Sequence, residues 1–394
     1  MHVSTDLPEP DADALAHSGR VAALIRERIE AAGGWVDFAD YMDLALYAPG
    51  LGYYSAGSVK LGAAGDFVTA PEVSGLFSRC VARAVAPVIG RGAGQVVLEL
   101  GAGTGAMAAG VLQALADEHA LPARYRILEV SADLRERQQR TLRERIPALL
   151  PLVEWLDTLP GAIDGVILAN EVADALPVSR FRIGAGRERV CELGVVADGD
   201  SFRWASRTAP DALCEAVGVV ETGIGSPLPP GYVSEIGMRV PALVGSLRAA
   251  LNDGACLLID YGLPRRELYS RQRREGTLIC HYRHRAHADP FLFPGLQDIT
   301  AWVDFTALAE AAVAAGLRVD GFMTQARFLM AAGLESEFLA AGARNPDSRL
   351  ALSRETQTLL LPGEMGEKFK VMWLGKGAAM PGARFAPHDQ RHRL

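Results

Sequence analysis

The chain has 394 residues, of which 49% are hydrophobic and 22% charged, and its formal net charge is −7. This composition excludes a wholly disordered chain, and no apolar run reaches the ~18 residues that indicate a membrane span. The acidic balance argues against a surface that binds the phosphate backbone of nucleic acids. The acidic, proline-containing start and five cysteines without a CxxC pair lead us to expect a cytoplasmic protein with reduced thiols.

The N-terminal part of the chain is predicted to be helical. Residues 1–17 are expected to form a flexible tail, and residues 18–92 a helical region. A Gly-rich, irregular segment over 55–70 interrupts this region and is predicted to be a loop. The apolar spacing predicts helices near 21–33, 38–47 and 73–88.

Beyond residue 93 the pattern changes to short apolar strands separated by helices. This alternation is typical of βαβ units and a mainly parallel sheet. We expect one domain over 93–376, with insertions at about 180–234 and 263–300, and a C-terminal tail over 377–394. Strands are predicted near 95–101, 124–131, 152–156, 164–171 and 255–262.

A Gly-rich turn directly after the first of these strands carries the strongest functional signal. Gly101, Ala102, Gly103, Thr104 and Gly105 form the sequence GAGTG and are predicted to contact a cofactor. The glycines permit a tight turn and close approach of a ligand, and the following helix offers its N-terminal N–H groups to an anionic group. The spacing also fits a dinucleotide-binding fingerprint, so the turn alone leaves NAD open.

Two acidic residues bear on the choice of cofactor. Glu129, followed by Val130 at the end of the next strand, can accept hydrogen bonds from two ribose hydroxyls, which NAD and S-adenosylmethionine share. Glu99 precedes the turn and suits a ligand with positive charge, such as the sulfonium and ammonium of S-adenosylmethionine. A pyrophosphate would be repelled there, so Glu99 favours S-adenosylmethionine over NAD.

A third strand is followed by polar residues that we expect at the ligand site. Asn170 and Glu171 close this strand, and ligands of such sheets bind outside the carboxyl ends of the strands. Asp174 follows shortly after and could equally be a helix N-terminal acid. Three histidines between 281 and 287 invite a metal-site interpretation, but the surrounding Arg and Pro residues favour a solvated or substrate-facing loop, and no metal site is predicted.

Four further segments accompany ELGAGTG. They are GDFVTAPEVSGLF (65–77), ANEVADALPV (169–178), GLQDITAWVDF (295–305) and LPGEMGEKFKV (361–371). In this order and spacing, the chain resembles over residues 18–376 the MidA family of class I S-adenosylmethionine-dependent methyltransferases, relatives of a mitochondrial complex I assembly factor with protein-arginine methyltransferase activity. The resemblance implies a Rossmann-like α/β fold with a seven-stranded, mostly parallel sheet, an N-terminal helical extension and an inserted substrate-side subdomain.

The resemblance also implies an activity and roles for several residues. It implies methyl transfer from S-adenosylmethionine to a protein arginine, with S-adenosylhomocysteine as product, and it suggests a respiratory complex subunit as partner. By this resemblance, Asp66, Phe67 and Thr69 would cover the cofactor. Independently of it, if the acceptor is an arginine, we expect the carboxylate of Glu171, with Asp66, Glu72 or Asp174, to orient the guanidinium through charge-assisted hydrogen bonds. A methyltransferase for another acceptor and a cofactor-binding assembly module remain alternatives.

Overall fold

The computed structural model describes residues 7–56, 69–92, 94–185, 189–377 and 382–394. Two compact units are interleaved along the chain. The first unit comprises residues 1–67, 173–240 and 263–307, and the second comprises residues 68–172, 241–262 and 308–394. These units do not follow the boundaries expected from the sequence, because segments distant in the chain return to the same unit.

Helices and strands both occur throughout the described chain. The helices are α1 (Ala12–Ala31), α2 (Phe38–Tyr47), α3 (Ala70–Val73), α4 (Gly75–Ile89), α5 (Ala106–Asp117), α6 (Ala132–Arg145), α7 (Asp211–Ile224), α8 (Val240–Ala250), α9 (Arg265–Leu268), α10 (Phe305–Ala314), α11 (Gln325–Ala332), α12 (Leu334–Arg344) and α13 (Arg349–Leu360). The strands are β1 (Val36–Asp37), β2 (Val96–Leu100), β3 (Arg124–Leu128), β4 (Val153–Leu156), β5 (Ile163–Asn170), β6 (Ser179–Ile183), β7 (Val190–Asp198), β8 (Ser201–Thr208), β9 (Val233–Ile236), β10 (Leu251–Leu263), β11 (Ile279–Tyr282), β12 (Arg285–His287), β13 (Asp298–Thr300), β14 (Val303–Asp304), β15 (Arg318–Thr324) and β16 (Phe369–Lys376).

The second unit is built on the mostly parallel sheet predicted from the sequence. Its strands run in the order β15-β16-β10-β5-β2-β3-β4. The five strands from β10 to β4 are mutually parallel, whereas β16 runs antiparallel to both of its neighbours. The expectation of a mostly parallel, Rossmann-like sheet is therefore confirmed. Seven strands form its continuous order and the short β14 is an eighth strand off that order, paired with β10, so the expected count of seven is one too few. The carboxyl ends of β2, β3, β5 and β10 lie at one edge of the sheet.

The central strands are buried because helices cover them. Every residue of β2, with sequence VVLEL, is buried, as a strand covered on both faces requires. α4 and α5 pack in the same apolar cluster as β2, β5 and β10, together with Phe369 and Trp373 of the antiparallel strand. This core fixes the strand ends from which the site residues project.

The first unit contains two antiparallel sheets. β1, β7, β6 and β9 form one sheet, with β8 paired to β7, and these strands confirm the alternating pattern expected over 180–234. β12, β11 and β13 form the other, so the segment 263–300 is more regular than its sequence predicts. The apolar core between α1, α2 and these strands includes Ile25, Phe38 and Tyr41.

Both expected tails contain ordered structure. α1 begins at Ala12, capped by the Asp11 carboxylate, so residues 12–17 belong to a helix rather than to a flexible tail. Near the other end, Phe385 is buried and stacks on Phe328, with ring centroids 5.6 Å apart. Hydrogen bonds add to this contact: the N–H of Gln390 donates to the main-chain oxygen of Phe322 at 2.6 Å, and the N–H of Phe322 donates to the Asp389 carboxylate at 3.1 Å. No periodic pattern in the sequence predicts this anchoring.

The histidine segment is not the solvated or substrate-facing loop expected from the sequence, and Arg265, which precedes it in the chain, pairs within the fold. His281 and His287 lie on the paired strands β11 and β12, and His287 is buried. Arg265 is also buried, and its guanidinium bonds to Asp304 at 3.1 Å. Within the described ranges, no cluster of three or more potential metal ligands is found. No helix in those ranges is long and apolar enough to cross a bilayer.

Gly165 of β5 provides a test of this sheet. Its φ is +141°, and an added Cβ would lie 2.0 Å from the main-chain oxygen of Val96 on the neighbouring strand. Strain and overpacking each cost on the order of 1–3 kcal/mol, so we expect Gly165→Ala to lower the free energy of unfolding by roughly 2–6 kcal/mol. Urea denaturation measures this, with Gly161→Ala as control, because nothing lies within 4 Å of a Cβ there. Equal midpoints for the two variants would contradict the strand register.

Candidate active site

The predicted Gly-rich turn connects β2 to α5 in the second unit. Gly101, Gly103 and Gly105 have φ values of 61°, 54° and 83°, a region that side-chain-bearing residues rarely adopt. Gly105 is the N-cap residue of α5, and an added Cβ there would lie 3.2 Å from Cα of Gln138. The turn therefore leaves main-chain N–H groups at a helix N-terminus, where an anionic carboxylate is stabilised.

Glu129 follows β3 and is only 7% exposed. One of its carboxylate oxygens accepts a hydrogen bond from the N–H of Ser131 at 2.9 Å, and the other accepts one from Nε2 of Gln138 at 3.1 Å. A carboxylate offers about four lone pairs, so both oxygens retain capacity for ribose hydroxyl donors. Burial raises the pKa of Glu129, and these hydrogen bonds oppose the rise.

Val130 lies directly beside this acid and is 77% exposed. An exposed, large apolar residue next to a buried acid is what a ligand with an apolar ring and polar hydroxyls requires. Arg135 holds the segment in place, because its guanidinium donates to the main-chain oxygens of Glu129 and Leu156 at 2.6 and 2.7 Å. The acid and the apolar contact are thus presented together on a fixed main chain.

Glu99 lies in β2 and is 1% exposed. The hydroxyl of Tyr125 donates a hydrogen bond to it at 2.5 Å. Burial raises the pKa of Glu99 from 4.5 to about 7, against the lowering effect of Tyr125. A cationic ligand nearby would favour the ionised carboxylate, and this role of Glu99 stays a prediction.

The raised pKa of Glu99 makes stability depend on pH. The folded chain retains a proton that the unfolded chain releases, so this stabilisation is complete below pH 4.5 and is lost as pH rises through about 7. We expect Glu99→Gln to gain stability relative to the parent between pH 5 and 8, by at most roughly 3 kcal/mol. Urea denaturation at both pH values measures the difference, with the exposed Glu144→Gln as control. Parallel pH profiles for parent and Glu99→Gln would contradict the raised pKa.

Asn170 and Glu171 close β5 with an unusual main-chain conformation. Glu171 has a φ of 55°, and its N–H donates to the main-chain oxygen of Ile259 at 2.8 Å. A residue other than glycine in the left-handed main-chain conformation costs free energy, and such residues are frequent at functional sites. Asp260 stabilises this turn, because its carboxylate accepts from the N–H groups of Val172 and Tyr261 at 3.2 and 2.9 Å.

The carboxylate of Glu171 is held by two neutral donors. Nδ2 of Asn170 donates to one oxygen at 2.9 Å, and the hydroxyl of Tyr261 donates to the other at 3.2 Å. The Tyr261 ring packs on Phe369, with centroids 4.0 Å apart. Within the described residues, Oδ1 of Asn170 is buried and has no hydrogen-bond partner. A buried acceptor of this kind suits a ligand that brings an N–H donor.

The remaining predicted site residues are Thr69, Asp174, Asp66 and Phe67. Thr69 is the N-cap residue of α3, without a side-chain capping bond. Asp174 belongs to the first unit, where it is buried and its main-chain oxygen accepts from the N–H of Ala301. Asp66 and Phe67 lie outside the described residues, so their predicted roles stay predictions.

Sequence reasoning missed three residues around these acids. Gln138, Tyr125 and Tyr261 each donate a hydrogen bond to a predicted site carboxylate. For Gln138 a signal exists, because it lies four residues from both Leu134 and Leu142 on the apolar face of α6. The two tyrosines depend on strand pairing, which periodicity in one sequence does not specify.

Together, the Gly-rich turn, the acid after β3 and the buried acceptor after β5 fit a nucleoside ligand that carries a carboxylate and a cationic group. The model of a family of S-adenosyl-L-methionine-dependent methyltransferases matches residues 80–323. The chain belongs to this family. The resemblance drawn from its motifs is therefore confirmed, as are the fold and the cofactor.

The solved structures and curated relatives cover nearly the whole chain. A COG1565 superfamily member from Burkholderia thailandensis, bound to S-adenosyl-homocysteine, is 44% identical with a TM-score of 0.93, covering 99% of this chain and all of the other. "Protein arginine methyltransferase NDUFAF7, mitochondrial" from Danio rerio is 27% identical, covering 92% of this chain and 87% of the relative. The relative of the same name from Homo sapiens is 27% identical, covering 89% and 82%.

Proposed function

We propose that this S-adenosylmethionine-dependent methyltransferase transfers the methyl group to an arginine side chain of a protein. The observation that carries the proposal is the Glu171 carboxylate, which Asn170 and Tyr261 hold at the carboxyl end of β5. Relatives named as protein arginine methyltransferases, matched over about nine-tenths of this chain, support it.

An arginine acceptor requires a carboxylate rather than a strong base. The guanidinium pKa exceeds ~12, so full deprotonation before transfer is impractical. Glu171 can instead orient the guanidinium through charge-assisted hydrogen bonds and draw its positive charge toward a nitrogen that does not attack. When bound, S-adenosylmethionine would supply an electrophilic methyl carbon. As the new N–C bond forms, the S–C bond breaks, S-adenosylhomocysteine leaves and the methylated guanidinium releases one proton. Correct placement of the attacking nitrogen contributes up to roughly 7–11 kcal/mol.

Two uncharged groups orient the Glu171 carboxylate for this role. The Asn170 amide and the Tyr261 hydroxyl each donate a hydrogen bond to one of its oxygens, and neither donor carries a positive charge. The buried Oδ1 of Asn170 adds an acceptor beside it for an N–H of the cofactor ammonium or of the acceptor.

The partner and the location are further parts of the proposal. The motif resemblance suggests a respiratory complex subunit as the protein that carries the arginine. The relatives from Danio rerio and Homo sapiens are named mitochondrial. For this chain we keep the cytoplasmic location as a proposal, to be tested by fractionation.

Product analysis tests the acceptor. The purified chain is incubated with methyl-labelled S-adenosylmethionine and a protein extract, and the labelled protein is hydrolysed to amino acids. We expect the label in methylated arginine, and none with Glu171→Gln in place of the parent. Label only in small molecules or in other residues would overturn the arginine assignment. Binding of S-adenosylhomocysteine without any transfer would favour an assembly role instead.

A further inference from the structure

Gln138 is a buried polar side chain in the middle of an otherwise charged helix. Its accessible fraction is 0%, and its neighbours on the same face of α6, Leu134 and Leu142, are also buried. Burial of an amide is costly unless all its groups are hydrogen-bonded, and a leucine at this position would extend the apolar face without that cost. A role beyond packing is therefore indicated.

The Gln138 amide connects three separate elements of the second unit. Its Nε2 donates to the main-chain oxygen of Gly103 and to Oε2 of Glu129, both at 3.1 Å. Its Oε1 accepts a hydrogen bond from Nε1 of Trp155 on β4 at 2.9 Å. One side chain thus joins the Gly-rich turn after β2, the acid after β3 and the neighbouring strand.

The chemistry of these partners determines the orientation of the amide. The indole of Trp155 can only donate, so it must face the amide oxygen. The Gly103 oxygen and the Glu129 carboxylate can only accept, so they must face the amide nitrogen. Among the twenty side chains, glutamine is the one of this length whose terminal amide carries two N–H donors on its nitrogen and an acceptor oxygen on the same carbon.

We propose that Gln138 is a positioning residue for the cofactor site. Its amide holds the Glu129 carboxylate and the Gly-rich turn in fixed positions relative to each other. Without it, Glu129 loses a donor that fixes its carboxylate, and the turn loses its link to α6. The inference rests on S-adenosylmethionine binding at this site and is independent of which acceptor takes the methyl group.

Gln138→Met tests the proposal, because methionine has a similar length and no hydrogen-bonding amide. We expect the Kd for S-adenosylhomocysteine, measured by calorimetry, to rise about tenfold, in keeping with the loss of hydrogen bonds to a charged group. The KM for S-adenosylmethionine should rise by a similar factor while kcat changes less than threefold. Gln139→Met is the matched control, since Gln139 is only half-buried and accepts from Arg143.

A second background separates positioning from general stability. If Gln138 acts through Glu129, Gln138→Met should change the Kd less than twofold when introduced into Glu129→Ala. An equal loss in both backgrounds would overturn the proposal, as would parent-like affinity of Gln138→Met. Should Gln138→Met not fold, Trp155→Phe removes the bond to Oε1, and unchanged affinity there overturns it too. Failure of the parent to bind S-adenosylhomocysteine would instead contradict the cofactor assignment.

Discussion

Replacement of Glu171 by glutamine is expected to lower the rate of methyl transfer at least ~100-fold, while the affinity for S-adenosylhomocysteine stays within a few fold. Glutamine is nearly isosteric, so Asn170 can still donate to its oxygen, and the Tyr261 hydroxyl can accept from its NH₂. What disappears is the negative charge and the second acceptor for a guanidinium. Loss of one charge-stabilising group in a transition state costs on the order of 10²–10³ in kcat.

Two measurements separate this effect from a change in cofactor binding. Single-turnover transfer of labelled methyl reports the chemical step, and calorimetry with S-adenosylhomocysteine reports the affinity. Asp164→Asn is the matched control, because Asp164 lies near the start of the same strand, is exposed, and bonds to Asn252. It loses the same charge at the other end of β5 and should retain the parent rate.

Two results would contradict this role of Glu171. A rate within threefold of the parent would remove Glu171 from the mechanism. A large rise in the Kd for S-adenosylhomocysteine together with a small change in rate would make Glu171 a cofactor ligand instead. Its left-handed φ of 55° is no obstacle to the comparison, because glutamine meets the same steric conditions there as glutamate.

The central sheet could be predicted because its signals are local. β2, β3 and β5 are short apolar runs that end at polar residues, and each is followed by a turn or a helix. Parallel strands bring their carboxyl ends to one edge, so Glu129 and Asn170 could be assigned to one site from their positions alone. The Gly-rich turn is equally local, since three residues with positive φ occur within five positions.

The contacts that refine this site depend on pairing between distant residues. Tyr125 reaches Glu99 because β3 pairs with β2 in a register that aligns Tyr125 with Val97. Tyr261 reaches Glu171 because β10 pairs with β5 in a register that aligns Ile259 with Asn170, and β10 continues beyond that pair. No residue close to Glu99 or Glu171 in the sequence indicates that a tyrosine will bond to it. Periodicity in a single sequence therefore does not reveal the two tyrosine contacts.

The interleaving of the two units was not predicted, because it too depends on contacts between residues that are distant in the sequence. The first unit collects residues 173–240 and 263–307, which β10 separates in the chain. From the sequence, each of these segments is predicted to be an insertion into the sheet domain. Their common core, which includes Phe38 and Ile299, forms only through long-range contacts.

Removal of the Glu129 side chain is expected to weaken cofactor binding by roughly 2–4 kcal/mol, a rise in Kd of about 30- to 1000-fold. Its carboxylate is the group placed to accept hydrogen bonds from both ribose hydroxyls, and charge-assisted hydrogen bonds are worth about 1.5–3 kcal/mol each with incomplete additivity. Because Glu129 is buried, the hydroxyls meet an acceptor with little competing water. The same burial raises the pKa of Glu129.

Calorimetry of Glu129→Ala with S-adenosylhomocysteine measures this loss, and urea denaturation without ligand measures the separate effect on folding. The folding effect should be smaller, because the donors that lose their partner in the alanine variant, the N–H groups of Ser131 and Val130 and one N–H of Gln138, are neutral groups. Glu136→Ala is the control, since Glu136 is exposed on α6 and forms an ion pair with Arg140 of the same helix at 3.4 Å. Unchanged affinity of Glu129→Ala would exclude the ribose role and would place the adenosyl group away from the end of β3.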